Sequence, residues 1–378
     1  MTQALDTDRI HLARAIELAE QGRGRVSPNP LVGAVIARDG TVLGEGWHSA
    51  YGHAHAEVEA LAAVGDRNLA GATMYVSLEP CCHHGQTPPC TEAILAAGLT
   101  RVVVASDDPS EKASGRGLGI LRDEGVEVAI CDGELSARAR AMNQPFRKHA
   151  RTGVPWVLFK SAMSLDGKVA TSTGDSKWIS SAESRRLVHQ WRTECDAAAV
   201  GIGTALADDP RLTARDVEPG PDDHVPQPRR VIFDSTARLP LDSRLVRAAE
   251  EIPLTVVTTR AAHRADVVAL QGAGAEVIVA VGENDPAQVR SALRRLGDQG
   301  ITSILLEGGP RLAGAFLDAG EVDEMRLFLA PLVVGGRTAR DPLEGTGAES
   351  IADAVRATSL DCEPVGEDVL VTARMREW

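Results

Sequence analysis

Aromatic residues make up only 3% of this 378-residue chain, so its hydrophobic content of 43% predicts cores built mainly from Ala, Val and Leu. The chain also lacks long apolar runs, and no stretch approaches the ~20 apolar residues of a membrane span. Its start, MTQALDTDRI, has no basic region followed by an apolar run, as a secretory signal peptide would. These absences predict a cytoplasmic protein with no membrane partner.

An excess of positive charge is also missing. The net charge of -13 argues against a nucleic-acid surface, which normally needs a basic patch. A small anionic substrate is compatible with this net negative charge, because a phosphate needs only local cations and backbone amides. The six cysteines are too few and too unevenly placed for an extracellular disulfide framework, since four lie in the first half of the chain. This usage favours reduced thiols and metal binding.

The length predicts two domains rather than one. Short apolar runs alternate with helical patterns on both sides of a segment, Asn143 to Pro155, whose Pro, Gly and basic residues indicate a linker. Such alternation is typical of α/β domains with helices on both sheet faces. The predicted domains are residues 1–147 and 148–378.

One group of residues in the first half combines metal ligands with a carboxylate. His55-Ala56-Glu57 opens a predicted helix to Val64, and Pro80-Cys81 and Cys90 follow. One imidazole and two thiolates leave the fourth position of a catalytic zinc open to water, whose pKa then falls to about 7. This order matches the zinc deaminase signature, although eight residues rather than two separate the cysteines. Glu57 would carry protons from the water to the substrate.

A closed, structural zinc site is the alternative. Cys82, His83 or His84 could supply a fourth ligand and leave Glu57 without a role. In the second half, Glu307-Gly308-Gly309-Pro310 joins a predicted strand to a helix that continues through Leu317. Bare amides at such a turn can hold a pyrophosphate, but an ordinary tight turn explains the pattern equally well.

Linked motifs in both halves resemble one known family. The first half contains Pro28-Asn29-Pro30-x-Val32-Gly33-Ala34, Gly52-x-His-Ala-His55-Ala-Glu57 and Glu79-Pro80-Cys81…Pro88-Pro89-Cys90. The second half contains Lys160-x-Ala162-x-Ser164-Leu165-Asp166-Gly167, Ser176-x-Trp178-Ile179, Asp208-Asp209-Pro210-x-Leu212-Thr213-x-Arg215 and Glu307-Gly308-Gly309. Over nearly its whole length the chain resembles the bifunctional riboflavin-biosynthesis deaminase and reductase of bacteria.

The resemblance implies two reactions on one small molecule. An amino group is hydrolysed from the pyrimidine of 2,5-diamino-6-ribosylamino-4(3H)-pyrimidinone 5′-phosphate, and NADPH then reduces the ribosyl group to ribityl. The implied folds are a three-layer cytidine-deaminase-like domain and a dihydrofolate-reductase-like domain. The implied cofactors are NADPH and one zinc ion per chain. Formation of a homo-oligomer is left open.

The resemblance also assigns roles to residues of this chain. In the first half it implies zinc ligation by His55, Cys81 and Cys90, proton transfer by Glu57, and substrate contacts by Asn29, His48 and Asp108. The implied NADPH contacts are Ala162, Trp178, Thr204, Asp208, Ser235, Gly309, Pro310, Arg311, Leu312, Ala313, Gly314 and Ala315. The implied substrate contacts of the second half are Lys160, Ser176, Arg192, Leu212, Arg215 and Glu307. Arg192 and Arg215 carry the bidentate donors that a phosphate ester needs.

The chain departs from the family pattern in its first half. Cys82 stands where Ser is frequent, Gln86 where a cation is frequent, and Ser110-Glu111 where Asn-Pro is frequent. The expected grip on phosphate is therefore weaker, unless Lys112 or Arg116 replaces the lost cation. Two alternatives follow: a reductase whose first half is a structural zinc module, and a nonenzymatic nucleotide-binding regulator. The regulator alternative predicts loss of Glu57 or of the pair Asp208 and Glu307, and all three residues are present.

Overall fold

The computed structural model of the chain describes residues 2–85, 87–219 and 224–378, with side chains from residue 7 onward. The chain divides into two compact units, Met1–Gly153 with Trp378, and Val154–Glu377. Among the described helices, none combines the length and apolar character needed to cross a membrane.

The first unit is built on a five-stranded sheet in the order β2-β1-β3-β4-β5. β1 is antiparallel to β2 and β3, and the remaining pairs are parallel. Its strands are β1 (Gly33–Arg38), β2 (Thr41–Trp47), β3 (Thr73–Val76), β4 (Arg101–Val104) and β5 (Glu127–Ile130). Its helices are α1 (Thr2–Ala19), α2 (Ala56–Val64), α3 (Cys90–Ala96), α4 (Arg116–Asp123), α5 (Gly133–Met142) and α6 (Gln144–Thr152).

Successive residues of β1 enter two different hydrophobic cores. Ala34 and Ile36 pack into the core shared with residues of α2, α3 and α4. Val35 and Ala37 pack into the core shared with α1 and α5. Because side chains alternate across a strand, the sheet is covered by helices on both faces. The predicted layered α/β architecture is confirmed for this unit.

The second unit is built on a nine-stranded sheet in the order β10-β9-β8-β7-β11-β6-β12-β14-β13. All pairs from β10 to β12 are parallel, and the last two are antiparallel. Its strands are β6 (Trp156–Ser164), β7 (Ala197–Gly201), β8 (Arg229–Phe233), β9 (Leu254–Thr258), β10 (Glu276–Val279), β11 (Ser303–Leu306), β12 (Glu324–Ala330), β13 (Ser359–Val365) and β14 (Asp368–Arg374). Its helices are α7 (Ala182–Glu194), α8 (Ile202–Asp208), α9 (Arg244–Arg247), α10 (Arg264–Gly272), α11 (Asp285–Asp298) and α12 (Pro310–Asp318).

The strand order reverses around β11, because β7 to β10 extend to one side of it while β6 and β12 lie on the other. In open α/β sheets a ligand typically binds at such a reversal, beyond the carboxyl ends of the strands. Glu307 follows β11 directly, and Gly201 ends the neighbouring β7. This edge of the sheet therefore positions the second candidate site.

The predicted linker between Asn143 and Pro155 is wrong, because most of this segment forms α6. Pro145 lies in the first turn of α6, where its missing N–H costs no hydrogen bond. Gly153 ends the helix in the left-handed conformation, with φ of 69°. The helix-breaking residues thus mark the two ends of one helix. The predicted domain boundary, 147/148, lies inside α6, whereas the compact units meet at 153/154.

Candidate active sites

The first candidate site lies where three elements of the first unit begin or end. His55 is the residue before α2, Cys81 follows β3 in the chain, and Cys90 is the first residue of α3. One potential ligand atom from each of these side chains lies within 4.8 Å of the others. Over the described part of the chain, this is the one group of His, Cys, Asp and Glu residues with metal-ligand spacing. The structure thus brings together the three predicted ligands.

The distances in this cluster fit a tetrahedral zinc ion. His55 Nδ1 lies 3.2 Å from Cys90 Sγ and 3.5 Å from Cys81 Sγ. Ligand bonds of about 2.0 Å to nitrogen and 2.3 Å to sulfur, at tetrahedral angles, separate N and S by about 3.5 Å. The other ring nitrogen of His55 lies 3.3 Å from the Thr87 hydroxyl, a contact that orients the imidazole. Nδ1 is therefore the nitrogen that would bind the metal.

The predicted alternative ligands make other contacts. The thiol of Cys82 donates to the carbonyl oxygen of Lys112 at 3.5 Å. His84 Nε2 lies 3.8 Å from a carboxylate oxygen of Glu92. Neither residue, nor His83, joins the three-ligand cluster in the described part of the chain. A fourth coordination position therefore has no protein ligand there, as a catalytic zinc requires.

Electrostatics favour a thiolate at Cys81 and a proton carrier at Glu57. The hydrogen bond from the Cys90 thiol, together with the contact to His55, lowers the pKa of Cys81 to about 4. The backbone N–H of Cys90, at the start of α3, also donates to Cys81 Sγ at 3.3 Å. Glu57 is 3% exposed, and burial raises its pKa to about 7. A carboxyl group with this pKa can take and return a proton near neutrality.

Two of the predicted substrate contacts lie beside the ligand cluster. The rings of His48 and His55 meet edge to face with centroids 5.4 Å apart. His48 Nδ1 lies 3.0 Å from the carbonyl oxygen of Ala54, which can only accept, so Nδ1 carries the proton. His48 Nε2 then accepts from the Asn29 amide at 3.1 Å. Within the described part of the chain, the Asn29 side-chain oxygen makes no hydrogen bond and could accept one from a substrate.

Glu79 is a positioning residue that the motif reading overlooked. This buried carboxylate accepts from the backbone N–H groups of Asp108, Gly115 and Gly117 at 3.4, 3.0 and 3.1 Å. It thereby fixes the loop that carries Asp108 and leads into α4. Its place directly before Pro80-Cys81 was the available signal. Gln86, a predicted departure from the family, lies outside the described residues.

The second candidate site lies at the strand-order reversal of the second unit. Arg192, on α7, forms a bidentate ion pair with Glu307, with Nε–Oε1 and Nη2–Oε2 distances of 2.6 and 2.8 Å. Their side chains are only 12% and 10% exposed. Burial raises the pKa of Glu307, but Arg192 and Lys160 more than offset this, so the pKa lies below its ordinary value. The bidentate edge of Arg192, predicted for a phosphate, is thus occupied by Glu307.

The four other predicted substrate contacts of the second unit lie in different environments. Lys160, on β6, lies 5.9 Å from the centre of the Phe328 ring, and burial lowers its pKa. The exposed Arg215 donates to the hydroxyl of Thr213 at 2.9 Å. Leu212 is 3% exposed and packs into the core. Ser176 is half-buried on the segment before Trp178.

The predicted cofactor residues cluster around two turns. A Cβ atom built at Gly309 would lie 3.3 Å from the Thr204 hydroxyl, so the turns before α12 and within α8 adjoin. Asp208, at the end of α8, forms an ion pair at 2.9 Å with Lys177, the residue before Trp178 in the chain. The glycines of these turns, Gly203 and Gly309, would let a pyrophosphate approach the backbone N–H groups, which fits the NADPH that the resemblance implies.

The remaining predicted cofactor residues differ in their surroundings. Trp178 is 71% exposed, and the Arg185 guanidinium lies 4.7 Å from its ring centre. The carbonyl oxygen of Ser235 accepts from the hydroxyl groups of Thr258 and Thr259 at 3.1 and 2.9 Å. Within α12 the structure separates two classes: Pro310, Arg311 and Leu312 are accessible, whereas Ala313, Gly314 and Ala315 are buried. Ala162 is partly buried on β6.

Comparison with known proteins covers both units. The family model of the RibD C-terminal domain matches residues 155–371. The model of the cytidine and deoxycytidylate deaminase zinc-binding region matches residues 5–106. Both predicted kinds of domain, deaminase and reductase, are therefore confirmed.

Similar proteins match over nearly the whole chain. The riboflavin biosynthesis protein RibD of Actinobacillus pleuropneumoniae is 40% identical over 97% of this chain and 94% of its own length. RibD of Escherichia coli K12 is 38% identical over 96% of this chain and 98% of its own. The solved structure of Acinetobacter baumannii RibD, form 1, matches with a TM-score of 0.87 and 36% identity, over 99% of this chain and all of that one. The chain belongs to the RibD family of bifunctional riboflavin biosynthesis enzymes.

Proposed function

We propose that the chain catalyses two consecutive reactions on a phosphorylated pyrimidine. The first is hydrolytic deamination of 2,5-diamino-6-ribosylamino-4(3H)-pyrimidinone 5′-phosphate, and the second is reduction of the ribosyl group to ribityl. One solved relative, from Thermotoga maritima, carries both activities in its name and is 33% identical over 98% of this chain. The observation that carries the proposal is the cluster of His55, Cys81 and Cys90 with Glu57 beside it.

In the deaminase site the roles follow from protonation states. Zinc, when bound by His55, Cys81 and Cys90, supplies a Lewis acid that activates water near neutral pH. Glu57 accepts a proton from the water and delivers it to a ring nitrogen as the hydroxyl group bonds to the ring carbon. It then takes the remaining proton of that hydroxyl group and delivers it to the amino group, which leaves as ammonia. The pKa of about 7 suits this carboxyl group to both transfers. Asn29 and His48 hold the pyrimidine, and Asp108 contributes a further contact from its loop.

In the reductase site the protein's task is to position two molecules. NADPH, when bound, supplies the hydride for the ribose carbon. Gly309, Thr204 and Asp208 hold the cofactor through the adjoining turns of α8 and α12. Lys160 and Arg215 supply the cations that bind substrate oxygens. Arg192 holds Glu307 in place through its bidentate ion pair.

Purified protein incubated with the diamino substrate tests the proposal. Without NADPH, mass spectrometry should show replacement of an amino group by oxygen, with release of ammonia. With NADPH, the product should in addition gain two hydrogens. Unchanged substrate in both reactions would refute the proposal, and reduction without deamination would favour a first unit with only a structural role. Cytoplasmic location and homo-oligomer formation stay predictions, for fractionation and light scattering to test.

A further inference from the structure

The segment after α8 has a backbone that its own sequence does not favour. Asp209, Leu212 and Asp216 have φ values of 40°, 53° and 55°, a region that residues other than glycine rarely occupy. Such a conformation persists only where surrounding groups hold it. The segment carries Leu212 and Arg215, two proposed substrate contacts. Whatever holds this backbone therefore sets the geometry of the reductase site.

Side chains hold the segment from two directions. On one side, the Gln227 amide accepts from the backbone N–H of Ala214 at 2.9 Å and donates to its carbonyl oxygen at 3.1 Å. On the other, Arg192 Nη1 donates to the carbonyl oxygen of Thr213 at 2.9 Å. His189, one turn before Arg192 on α7, also contacts the segment from this second direction.

A single nitrogen of His189 meets three polar groups. Its Nδ1 lies 3.1 Å from the Thr213 carbonyl oxygen, and 3.3 Å from both Arg192 Nη1 and the backbone nitrogen of Arg215. Two of these groups can only donate, and the Thr213 oxygen already accepts from Arg192. A neutral imidazole with its proton on Nε2 lets the bare Nδ1 accept from both donors, whereas a proton on Nδ1 would serve the Thr213 oxygen alone. The two donors outweigh that one acceptor, which Arg192 already supplies with a hydrogen bond.

We propose that His189 is a positioning residue for the reductase reaction: its unprotonated Nδ1 accepts from the Arg215 backbone and the Arg192 guanidinium and so holds the 212–215 segment against α7. The inference rests on the proposed reductase function and deepens it. His189 does not itself need to touch the substrate. Its effect reaches the substrate through Arg215 and Leu212.

The charges around His189 favour its neutral form. Burial lowers its pKa, and the cations of Arg192 on α7 and Arg215 on the segment lower it further. The contact to the Thr213 carbonyl oxygen and the charge of Glu307 after β11 raise the pKa without reversing this shift. A proton added to Nδ1 would face the two donors and leave the Arg215 N–H without its acceptor. Binding of substrate should therefore weaken as the pH falls through the lowered pKa of His189.

Reductase kinetics of His189→Ala and His189→Asn test the inference on the full-length chain. The Asn side-chain oxygen can replace Nδ1 as an acceptor but does not titrate. For His189→Ala we expect KM for the deaminated substrate to rise about tenfold, the effect of one lost hydrogen bond, with kcat and KM for NADPH nearly unchanged. His189→Asn should restore most of the lost affinity. The exposed His263, changed to Ala, is the matched control.

The pH profile separates positioning from a merely structural role. Wild-type kcat/KM should fall in acid more steeply than that of His189→Asn, and titration of the substrate phosphate cancels because both enzymes share it. An unchanged KM for NADPH in each variant reports that its second unit is folded. Equal KM values for wild type and His189→Ala, or failure of Asn to restore KM, would overturn the inference. Absence of reduction by the wild type would instead refute the proposed function and the inference with it.

Discussion

Removal of the Glu307 carboxylate should destabilise the second unit far more than an ordinary surface charge change. In Glu307→Gln the shape is kept, but Arg192 loses the neutralising negative charge and one of its two hydrogen bonds, at 2.6 and 2.8 Å, because the amide has a single acceptor oxygen. The Arg192 side chain is only 12% exposed, so water cannot replace its partner. Breaking a buried ion pair by removing one member typically costs about 3–5 kcal/mol. In a unit of this size that loss lowers Tm by roughly 6–20 °C.

Scanning calorimetry of the full-length chain measures this effect. The transition that NADPH shifts upward belongs to the second unit, because a ligand stabilises the fold that binds it. Glu183→Gln is the matched control, since it removes the carboxylate of an exposed pair with Arg186 on the same helix. Exposed pairs contribute at most about 1 kcal/mol. A Tm loss for Glu307→Gln no larger than that of the control would refute the reasoning.

A double substitution separates the ion pair from the packing. Arg192→Met combined with Glu307→Leu removes both charges and leaves apolar side chains in the buried space. Replacing a buried ion pair by apolar groups is often neutral or stabilising, so the double variant should recover most of the Tm lost by Glu307→Gln. Reductase activity should stay low, because the charged site is gone. A double variant less stable than Glu307→Gln would show that packing, rather than an unpaired charge, explains the loss.

The pH dependence of this effect has a definite sign. The folded-state pKa of Glu307 lies below its ordinary value. The stabilisation is therefore fully present above the pKa of an unfolded glutamate, about 4.3, and is lost as the pH falls through the lower folded-state pKa. The Tm difference between wild type and Glu307→Gln should be constant near neutrality and should shrink only below about pH 4. A difference that already disappears at pH 6 would contradict the assignment.

The remaining predictions concern the first site and its independence. Glu57→Gln should keep the zinc, measured by metal analysis, and lower deamination by about 10²–10⁴-fold, since glutamine cannot carry a proton; near-normal activity would remove Glu57 from the mechanism. Cys82→Ser should keep about one zinc per chain, whereas Cys81→Ser should lose it; loss of zinc from Cys82→Ser would contradict the ligand assignment. Mild chelation should stop ammonia release and spare reduction of deaminated substrate, while Asp208→Asn should do the reverse, provided that circular dichroism shows both proteins folded.

The zinc cluster was predictable because its residues lie at boundaries that leave a mark in the sequence. His55 precedes a helix, Cys90 begins one, and Cys81 follows a strand. At each boundary the spacing of apolar residues changes between the pattern of a strand and that of a helix. The three ligands also lie within a short stretch of chain, so their spacing can be recognised directly in the sequence. At Pro145 and Gly153, in contrast, residues typical of element boundaries led to the wrong prediction of a linker. Because both residues occur at helix ends as well as in linkers, only the contacts of α6 decide between the two.

The side-chain pairs of the reductase site could not be predicted in this way, because they form between residues that are distant in the sequence. Glu307 and Arg192 lie 115 positions apart, and nothing near either residue indicates that they pair. The pairing changes the expected chemistry, since Arg192 cannot give its bidentate edge to Glu307 and to a phosphate at once. Similarly, the backbone conformation of Leu212 is unfavourable locally and depends on His189, Gln227 and Arg192.

These differences imply different responses of the two sites to mutation. In the first unit the ligands themselves carry the metal-binding chemistry, so damaging substitutions should concentrate at His55, Cys81, Cys90 and Glu57. In the second unit the reacting hydride belongs to the cofactor, and the protein contributes positions. Those positions depend on side chains that need not touch substrate, such as His189 holding the backbone of Arg215. Residues important for reduction should therefore extend further from the reacting atoms than residues important for deamination.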